Sequence, residues 1–246
     1  MKNNQIDYKS RLVKLVNWNF ISECDIAMKL TSSDMSSDYA QLVGYISHNG
    51  LPGATWDQRH TYIWEYAKAY NLKPFVLDRK IWTACVVLDE QEKVLYAFTS
   101  SQNYKKVLSD IKNGKDTHYY YLLCLGSDEP VLVQTSFFDS DKEQKNHDAE
   151  RMRKAKELLK EWLDLAEHFV VVHYEYRSRE ASDGTISLLD NNGAELTSIK
   201  IGDHLKEKVS GTDTTNDNSQ SIPDSQETFQ EPLVSWKETN VNKQSR

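Results

Sequence analysis

The chain of 246 residues is long enough for one large domain or two small ones. Its formal net charge of −7 gives no general attraction to nucleic acid or to anionic lipid. No apolar run approaches the roughly 20 residues that a membrane-spanning helix needs, and the first residues lack the apolar segment of a signal peptide. The three cysteines, Cys24, Cys85 and Cys124, are odd in number and far apart in the sequence. This pattern favours buried free thiols. We therefore expect a cytoplasmic protein.

The first fifty residues are predicted to form a helical N-terminal region. Three short helices are expected at about 4–17, 22–31 and 39–47. In the third, the apolar residues follow helical spacing and are expected to face inward: Tyr39, Leu42, Val43 and Ile46.

The stretch "TWDQRHTYIWEYAKAY" at 55–70 predicts a further helix that begins with a capping box of Thr55 and Gln58. An acid, an arginine and a histidine stand close together here. On a helical projection, however, Asp57 falls on the polar side, while Arg59 and His60 fall on the two borders of the apolar stripe. We therefore interpret the three as the front of a buried helix and not as a reaction centre.

The period changes from helical to extended at Lys73. Two helices are expected within the following region, at "QNYKKVLSDIKNG" and at about 145–166, and a type I′ turn is expected at Asn192-Gly193. The remaining segments are predicted strands: "KPFVLDR", "IWTACVVLD", "KVLYAFTS", "HYYYLLCLG", "PVLVQTSFF", "FVVVHYEYR" and the closing hairpin "TISLLDNNGAELTSIKI".

These elements predict an α+β fold in three regions. Residues 1–50 form the helical region, and residues 51–205 form a domain with a mixed or antiparallel sheet of hairpins packed against two or three helices. Residues 206–246 are too poor in apolar side chains to form a core and are predicted to be a disordered tail. Within the tail, an apolar island at 232–237 is a candidate motif for docking a protein partner, through Leu233, Val234 and Trp236.

Motifs for chemistry are weak. A restriction-type nuclease needs an acid and an E-x-K motif on adjacent strands, but "DEQEK" at 89–93 falls in a predicted turn. His168 and His173 are expected on opposite faces of a strand, so no metal site and no cofactor are predicted. The N-terminal helices contain no Lys or Arg between Lys29 and Arg59, which makes a DNA-binding helix-turn-helix unlikely to reach phosphates.

Four residues remain as candidates for binding a ligand: Arg59, His60, Arg79 and Trp82. Cations beside aromatic rings can hold an anionic or planar ligand through charge and stacking. The alternative is structural, with Arg59 in an ion pair or a cation–π contact inside the fold. No catalytic residue is assigned.

The middle of the chain also resembles a known family. The order "YIWEYAKAYNLKPFVLDRKIWTACVVLDEQEKVLYAFTSSQNY", "HYYYLLC", "QTSFFDSD" and "FVVVHYEYR" is similar to an uncharacterised family of Gram-positive bacteria and their prophages. The resemblance covers about residues 56–205 and leaves 206–246 outside. It implies a protein of the bacterial cytosol and of mobile elements, and it transfers no catalytic residue.

Three functions are compatible with these patterns. The preferred one is an interaction or regulatory protein, because no acid–base, metal or phosphate motif stands out and the tail carries a docking island. An enzyme, such as a metal-dependent nuclease or hydrolase with a site assembled from distant strands, is the alternative. A DNA-binding regulator acting through the N-terminal helices is the second alternative.

The tail gives a first prediction. Deleting residues 206–246 is expected to change the free energy of unfolding by no more than a few tenths of a kcal/mol, because unpacked termini contribute little. Thermal melts of the full and shortened chains measure this. A fall of several degrees in the melting temperature would show that the tail packs on the domain.

Overall fold

The protein is built around a mixed six-stranded sheet with the strand order β1-β2-β3-β4-β7-β8. The computed structural model describes residues 7–78, 83–113, 118–129, 141–177 and 180–210. The strands are β1 (Lys73–Asp78), β2 (Thr83–Asp89), β3 (Val94–Ser100), β4 (His168–Tyr174), β7 (Thr185–Leu189) and β8 (Glu195–Lys200). A separate ribbon pairs β5 (Tyr176–Arg177) with β6 (Glu180–Ala181).

Only β3 and β4 pair in parallel among the described strands, and the other neighbours in the sheet are antiparallel. A parallel pair needs a crossover connection, because the chain must return to the edge of the sheet at which it started. This crossover carries the helices α5 (Ser101–Lys112), α6 (Tyr119–Leu123), α7 (Asp141–Leu159) and α8 (Trp162–Leu165).

The remaining described helices are α1 (Tyr8–Leu15), α2 (Trp18–Lys29), α3 (Ser36–Val43), α4 (Leu51–Ala69) and α9 (Ile201–Ser210). Side chains from the helices α1, α2, α4 and α9 form one hydrophobic core with one face of the sheet, to which Val87 and Tyr96 belong. The crossover helices form a second core with the opposite face, to which Val86 and Leu95 belong. The described part is thus a sheet between two helical layers. The predicted α+β class with a mixed sheet is confirmed, although helices cover both faces.

Both predicted hairpins are present. Asp89 Oδ1 accepts hydrogen bonds from the backbone N–H groups of Gln91 and Glu92, which shapes the charged turn between β2 and β3. Between β7 and β8, Asp190 Oδ1 accepts from the N–H groups of Asn192 and Ala194. Of the predicted Asn-Gly pair only Gly193 has positive φ, so the connection is an aspartate-capped loop and not a two-residue type I′ turn.

The segment "HYYYLLCLG" was expected to be a strand, and this is wrong. It forms α6 and a 3₁₀ turn at Cys124–Gly126, with the imidazole of His118 accepting a hydrogen bond from the N–H of Tyr120. Tyr119, Tyr120 and Leu123 are buried in the second core at helical spacing. A short apolar run has no period that separates a strand from a buried helix. The predicted strand "PVLVQTSFF" lies outside the described residues.

The helix expected at 145–166 is divided in two. α7 already begins at Asp141, and it ends at Leu159 because Lys160 adopts a positive φ of 50°. α8 follows as a separate short turn. On α7, Met152 is 38% exposed, whereas Arg151 is buried and its guanidinium donates to the carbonyl oxygens of Tyr121 and Asn191.

Helix α3 also departs from its prediction. It ends at Val43, and three of the four side chains expected to face inward are in solvent, with Leu42 86%, Val43 62% and Ile46 92% exposed, while Tyr39 is half-buried. Helical spacing identified an apolar face correctly, but α3 has no buried residue. The helix therefore presents an apolar surface instead of contributing to a core.

The first two helices and α4 begin at other residues than predicted. The side chain of Asn17 caps α2, so that this helix starts four residues before Ser22. α4 starts at Leu51, with Pro52 in its first turn. Thr55 therefore lies inside the helix, where its hydroxyl donates to the carbonyl oxygen of Leu51 instead of capping.

Helix α9 continues to Ser210, into the segment that was predicted to be disordered. The rest of that segment, including the island at 232–237, lies outside the described residues. A truncation that tests the tail is therefore better placed after Ser210. Among the helices that the structure describes, none combines the length and apolarity needed to cross a membrane. Cys24, Cys85 and Cys124 are free and buried, and burial raises the pKa of Cys85 and of Cys124 to about 12.

Candidate functional site

A cleft of about 640 Å³ lies at one end of the sheet, where β2 begins and β3 ends. Because β2 and β3 are antiparallel, the start of one strand lies beside the end of the other. Helix α4 contributes one wall, with Trp56, Asp57 and His60. Helix α5 contributes the opposite wall, with Asn103 and Lys106.

The α4 wall brings together an acid and an imidazole. Asp57 and His60 both line the cleft, so the prediction that the acid faces away from the histidine is wrong. Residues three apart on a helix are neighbours on its surface. Burial lowers the pKa of His60 to about 4, and the nearby charge of Asp57 only partly opposes this. The imidazole is therefore neutral near pH 7.

His60 has its ring nitrogens available for a ligand. The ring lies 5.8 Å from the ring of Trp56, centroid to centroid, at an angle of 49°. Within the described part of the chain, no hydrogen bond to His60 is formed. A second cavity of about 350 Å³ adjoins the cleft and shares Asp57, His60 and Thr83 with it, so the imidazole lies between two open spaces.

The opposite wall is the turn from β3 into α5. Ser100 caps α5 by accepting a hydrogen bond from the N–H of Asn103 at 3.2 Å. The amide of Asn103 donates to the hydroxyl of Thr99 at 2.9 Å. One turn further along, Lys106 is exposed and forms no ion pair with any residue that the structure describes. This wall is polar, with the positive end of a helix dipole at its rim.

Arg59 does not line this cleft. It lies on the buried stripe of α4, is only 4% exposed, and its Nε donates to the carbonyl oxygen of Leu30 at 3.0 Å. Leu30 is the C-cap of α2, so the guanidinium satisfies a carbonyl that the helix leaves unpaired. Its Cζ also lies 4.5 Å from the ring centroid of Trp56 and 4.1 Å from that of Tyr176. The structure thus separates Arg59 from His60.

Arg79 and Trp82 lie outside the described residues, so their assignment to a ligand site stays a prediction. The structure adds Thr99, Asn103 and Lys106, which sequence reasoning missed. The available signal was the polar stretch "TSSQN" at 99–103, between an apolar strand and a helix. The carboxyl end of a strand that leads into a helix is a common location for a ligand.

A buried polar network lies next to this turn. The hydroxyl of Ser101 and Nδ1 of His173 are 2.8 Å apart, and Nε2 of His173 lies 3.2 Å from the hydroxyl of Ser187. The imidazole stacks on Tyr104, with 4.2 Å between the centroids, and the phenol donates to Glu195. Burial lowers the pKa of His173 to about 4. Because these groups are buried and mutually bonded, they stabilise the junction of β3, β4 and α5.

The other candidates for chemistry lie elsewhere. The Glu-x-Glu-Lys turn at 90–93 joins the opposite ends of β2 and β3, about 20 Å from the cleft by strand length. Nδ1 of His168 lies 3.0 Å from the buried carboxylate of Glu129, to which Arg11 also donates, so it belongs to a different cluster from His173. In the regions that the structure describes, no group of three or more potential ligands is arranged to hold a metal ion.

Comparison with known proteins identifies the family of the chain. The model of a family of unknown function, DUF5986, matches residues 16–245. The chain belongs to this family. The resemblance seen in the sequence is confirmed, but its expected range of 56–205 is too short, since the family includes α2 to α4 and also the C-terminal segment that was placed outside it. No curated protein and no solved structure matched the chain.

The contacts of Arg59 give a second prediction. Arg59→Ala is expected to lower the free energy of unfolding by about 1–3 kcal/mol, because it leaves the carbonyl of Leu30 unpaired and removes the stacking on Trp56 and Tyr176. Urea denaturation measures the loss. The exposed Arg177→Ala serves as the matched control and should change stability by less than about 0.5 kcal/mol. An Arg59→Ala melt that overlays the wild type would contradict the structural role.

The buried imidazole of His173 gives a third prediction, on pH. An unfolded histidine binds its proton near pH 6.5 and the folded one only near pH 4, so the unfolded state is favoured as the pH falls between these values. Stability should be complete above pH 6.5 and decline toward pH 4. In His173→Gln this decline should be shallower, although the variant is less stable at pH 7. The exposed His48→Gln should keep the wild-type decline; equal slopes in all three proteins would contradict the assignment.

Proposed function

We propose that this protein is a ligand-binding regulatory or interaction protein, and that the cleft between α4 and α5 binds one small polar molecule. The cleft itself is the observation that carries the proposal. Its volume of about 640 Å³ lies within the range of roughly 300–1,000 Å³ that is usual for small-molecule sites. Aromatic rings and polar side chains line it together, and a small-molecule site combines apolar surface with polar groups that orient the ligand.

The state of the polar groups supports this choice. Asp57, His60 and Lys106 form no ion pair or hydrogen bond through their side chains with residues that the structure describes. Other charged side chains nearby have partners, as Lys105 does with Glu175. Desolvating His60 without a hydrogen-bond partner costs stability that a bound ligand would recover. We infer that these groups are kept for a ligand.

The proposal modifies the interaction hypothesis that the sequence favoured. A pocket in which Arg59, His60 and an acid converge would argue against a purely interacting protein. His60 and Asp57 do converge, while Arg59 does not. We therefore propose regulation by a ligand, with a protein partner contacted elsewhere, for which Leu233, Val234 and Trp236 of the tail stay the proposed residues.

The proposed location is the bacterial cytoplasm, for a protein encoded by the bacterium or by its prophage, as the resemblance of the sequence implies. Free, buried cysteines fit a reducing compartment. DNA binding through the N-terminal helices is not favoured, because the exposed face at the end of α3 is apolar, with Leu42, Tyr45 and Ile46 in solvent. The enzyme alternative is also less favoured, because the acidic turn at 90–93 and the cleft lie at opposite ends of the hairpin.

Blocking the cleft tests the proposal. Gly53 lines it, and a Cβ added there meets no atom within 4 Å, so Gly53→Leu is the variant chosen to fill part of the cleft. Ala69→Leu adds the same side chain at an exposed position on the same helix and is the matched control. The probes are adenosine monophosphate, adenosine, tryptophan, citrate, glucose and phosphate, each at about 5 mM, which saturates a site with a dissociation constant of up to about 50 μM.

At least one probe is expected to raise the melting temperature of the wild type and of Ala69→Leu by about 5 °C or more, since ligand at about 100 times its dissociation constant adds about 2.7 kcal/mol. Gly53→Leu should fold and show no such increase. If no probe shifts the wild type, or if Gly53→Leu keeps the full shift, the proposed function is contradicted.

A further inference from the structure

The two walls of the cleft carry charges of opposite sign. Asp57 lies on the α4 wall and Lys106 on the α5 wall, and neither forms an ion pair with a residue that the structure describes. A ligand that matches both walls has hydrogen-bond donors at one end and a negative charge at the other. A uniformly anionic or uniformly cationic molecule would leave one of the two charges unfavourably placed.

The acidic wall also suits a planar ring. Trp56 lines it, and aromatic rings of Phe98 and Tyr119 lie in the same cleft. The guanidinium of Arg59 lies 4.5 Å from the centroid of Trp56, where it uses the electron-rich face of the indole. Because Arg59 already uses this ring, a second cation would gain less attraction from Trp56. An uncharged heterocycle still stacks favourably on it. N–H groups at the edge of that heterocycle would meet the carboxylate of Asp57 and the neutral imidazole of His60.

The basic wall suits a phosphate. Ser100, which caps α5 by accepting a hydrogen bond from the N–H of Asn103, lines the cleft, so an anion there lies beside the N-terminus of this helix. The positive end of the helix dipole and the ammonium of Lys106 add to the attraction. The attraction is moderate, because Lys106 is the one lysine or arginine among the described residues that line the cleft, and the carboxylate of Asp57 repels a larger negative charge.

We propose that the ligand is a nucleoside monophosphate, with its base against Trp56 and Asp57 and its phosphate against Lys106 and the start of α5. This inference rests on the proposed function of the cleft. It selects a nucleotide over an aromatic amino acid, whose ammonium and carboxylate stand on one carbon and do not span two walls. It selects the monophosphate over the triphosphate because one lysine and the carboxylate of Asp57 face the ligand.

Isothermal titration with adenosine monophosphate, purine riboside monophosphate and adenosine tests the assignment. Lys106→Gln is expected to weaken the binding of adenosine monophosphate by about 5- to 20-fold and to leave the binding of adenosine unchanged. The substitution removes only the positive charge that faces the phosphate. Asp57→Asn is expected to weaken the binding of adenosine monophosphate, whose base carries an amino group, more than the binding of purine riboside monophosphate, whose base carries no N–H donor. Lys112→Gln, an exposed lysine on the same helix, is the matched control and should bind like the wild type.

Each other outcome contradicts the inference in a distinct way. If adenosine binds the wild type as tightly as its monophosphate, or the triphosphate binds more tightly, the phosphate assignment is wrong. If a single DNA strand of about ten deoxyadenosines binds more than tenfold more tightly than adenosine monophosphate, the ligand is a nucleic acid strand and not a free nucleotide. If nucleotides fail while another probe shifts the wild type but not Gly53→Leu, the ligand class is wrong and the function of the cleft stands. If no probe binds, both proposals are contradicted.

Discussion

The parallel pairing of β3 with β4 is the constraint on which the rest of the structure depends. Both strands are buried along nearly their whole length, so both faces of the sheet need a helical layer. One layer comes from α1, α2, α4 and α9, and the other comes from the crossover that the parallel geometry requires. The same geometry directs the ends of both strands to one edge of the sheet. The cleft and the buried network of His173 lie at this edge because β3 turns there into α5.

Two arginines, Arg59 and Arg151, connect described helices to other segments through neutral acceptors. The guanidinium of Arg59 connects α4 to the end of α2, and that of Arg151 connects α7 to the carbonyl oxygens of Tyr121 and Asn191. Each also stacks on an aromatic ring. A planar guanidinium can satisfy a helix-terminal carbonyl and cover a ring at the same time, which lysine cannot. Because Arg59 covers one side of Trp56, a structural contact also fixes the position of a residue in the cleft wall.

Much of the fold follows from the sequence, but the site does not. The strands β1 to β4, the two hairpins and α5 are predictable, because period and turn residues agree there. The helix α6 is not, since a short apolar run fits either structure. Helical spacing also does not show whether an apolar face packs against a core, and α3 has such a face without any buried residue. It likewise does not show that Arg59 takes the place of an apolar residue on the buried stripe of α4. The cleft combines Asp57, Thr99 and Lys106 from separate elements, so no local motif marks it.

The long crossover also has a consequence for how the chain is made. Val94 pairs with His168, so roughly seventy residues must leave the ribosome before β3 can meet its partner. At about 5–20 residues per second, translation of this stretch takes several seconds. During this time the edge of β3 is an unpaired, apolar strand that can pair with other chains. Synthesis of this protein therefore includes a period of exposure to aggregation, in which a chaperone that covers strand edges would raise the yield of folded chains.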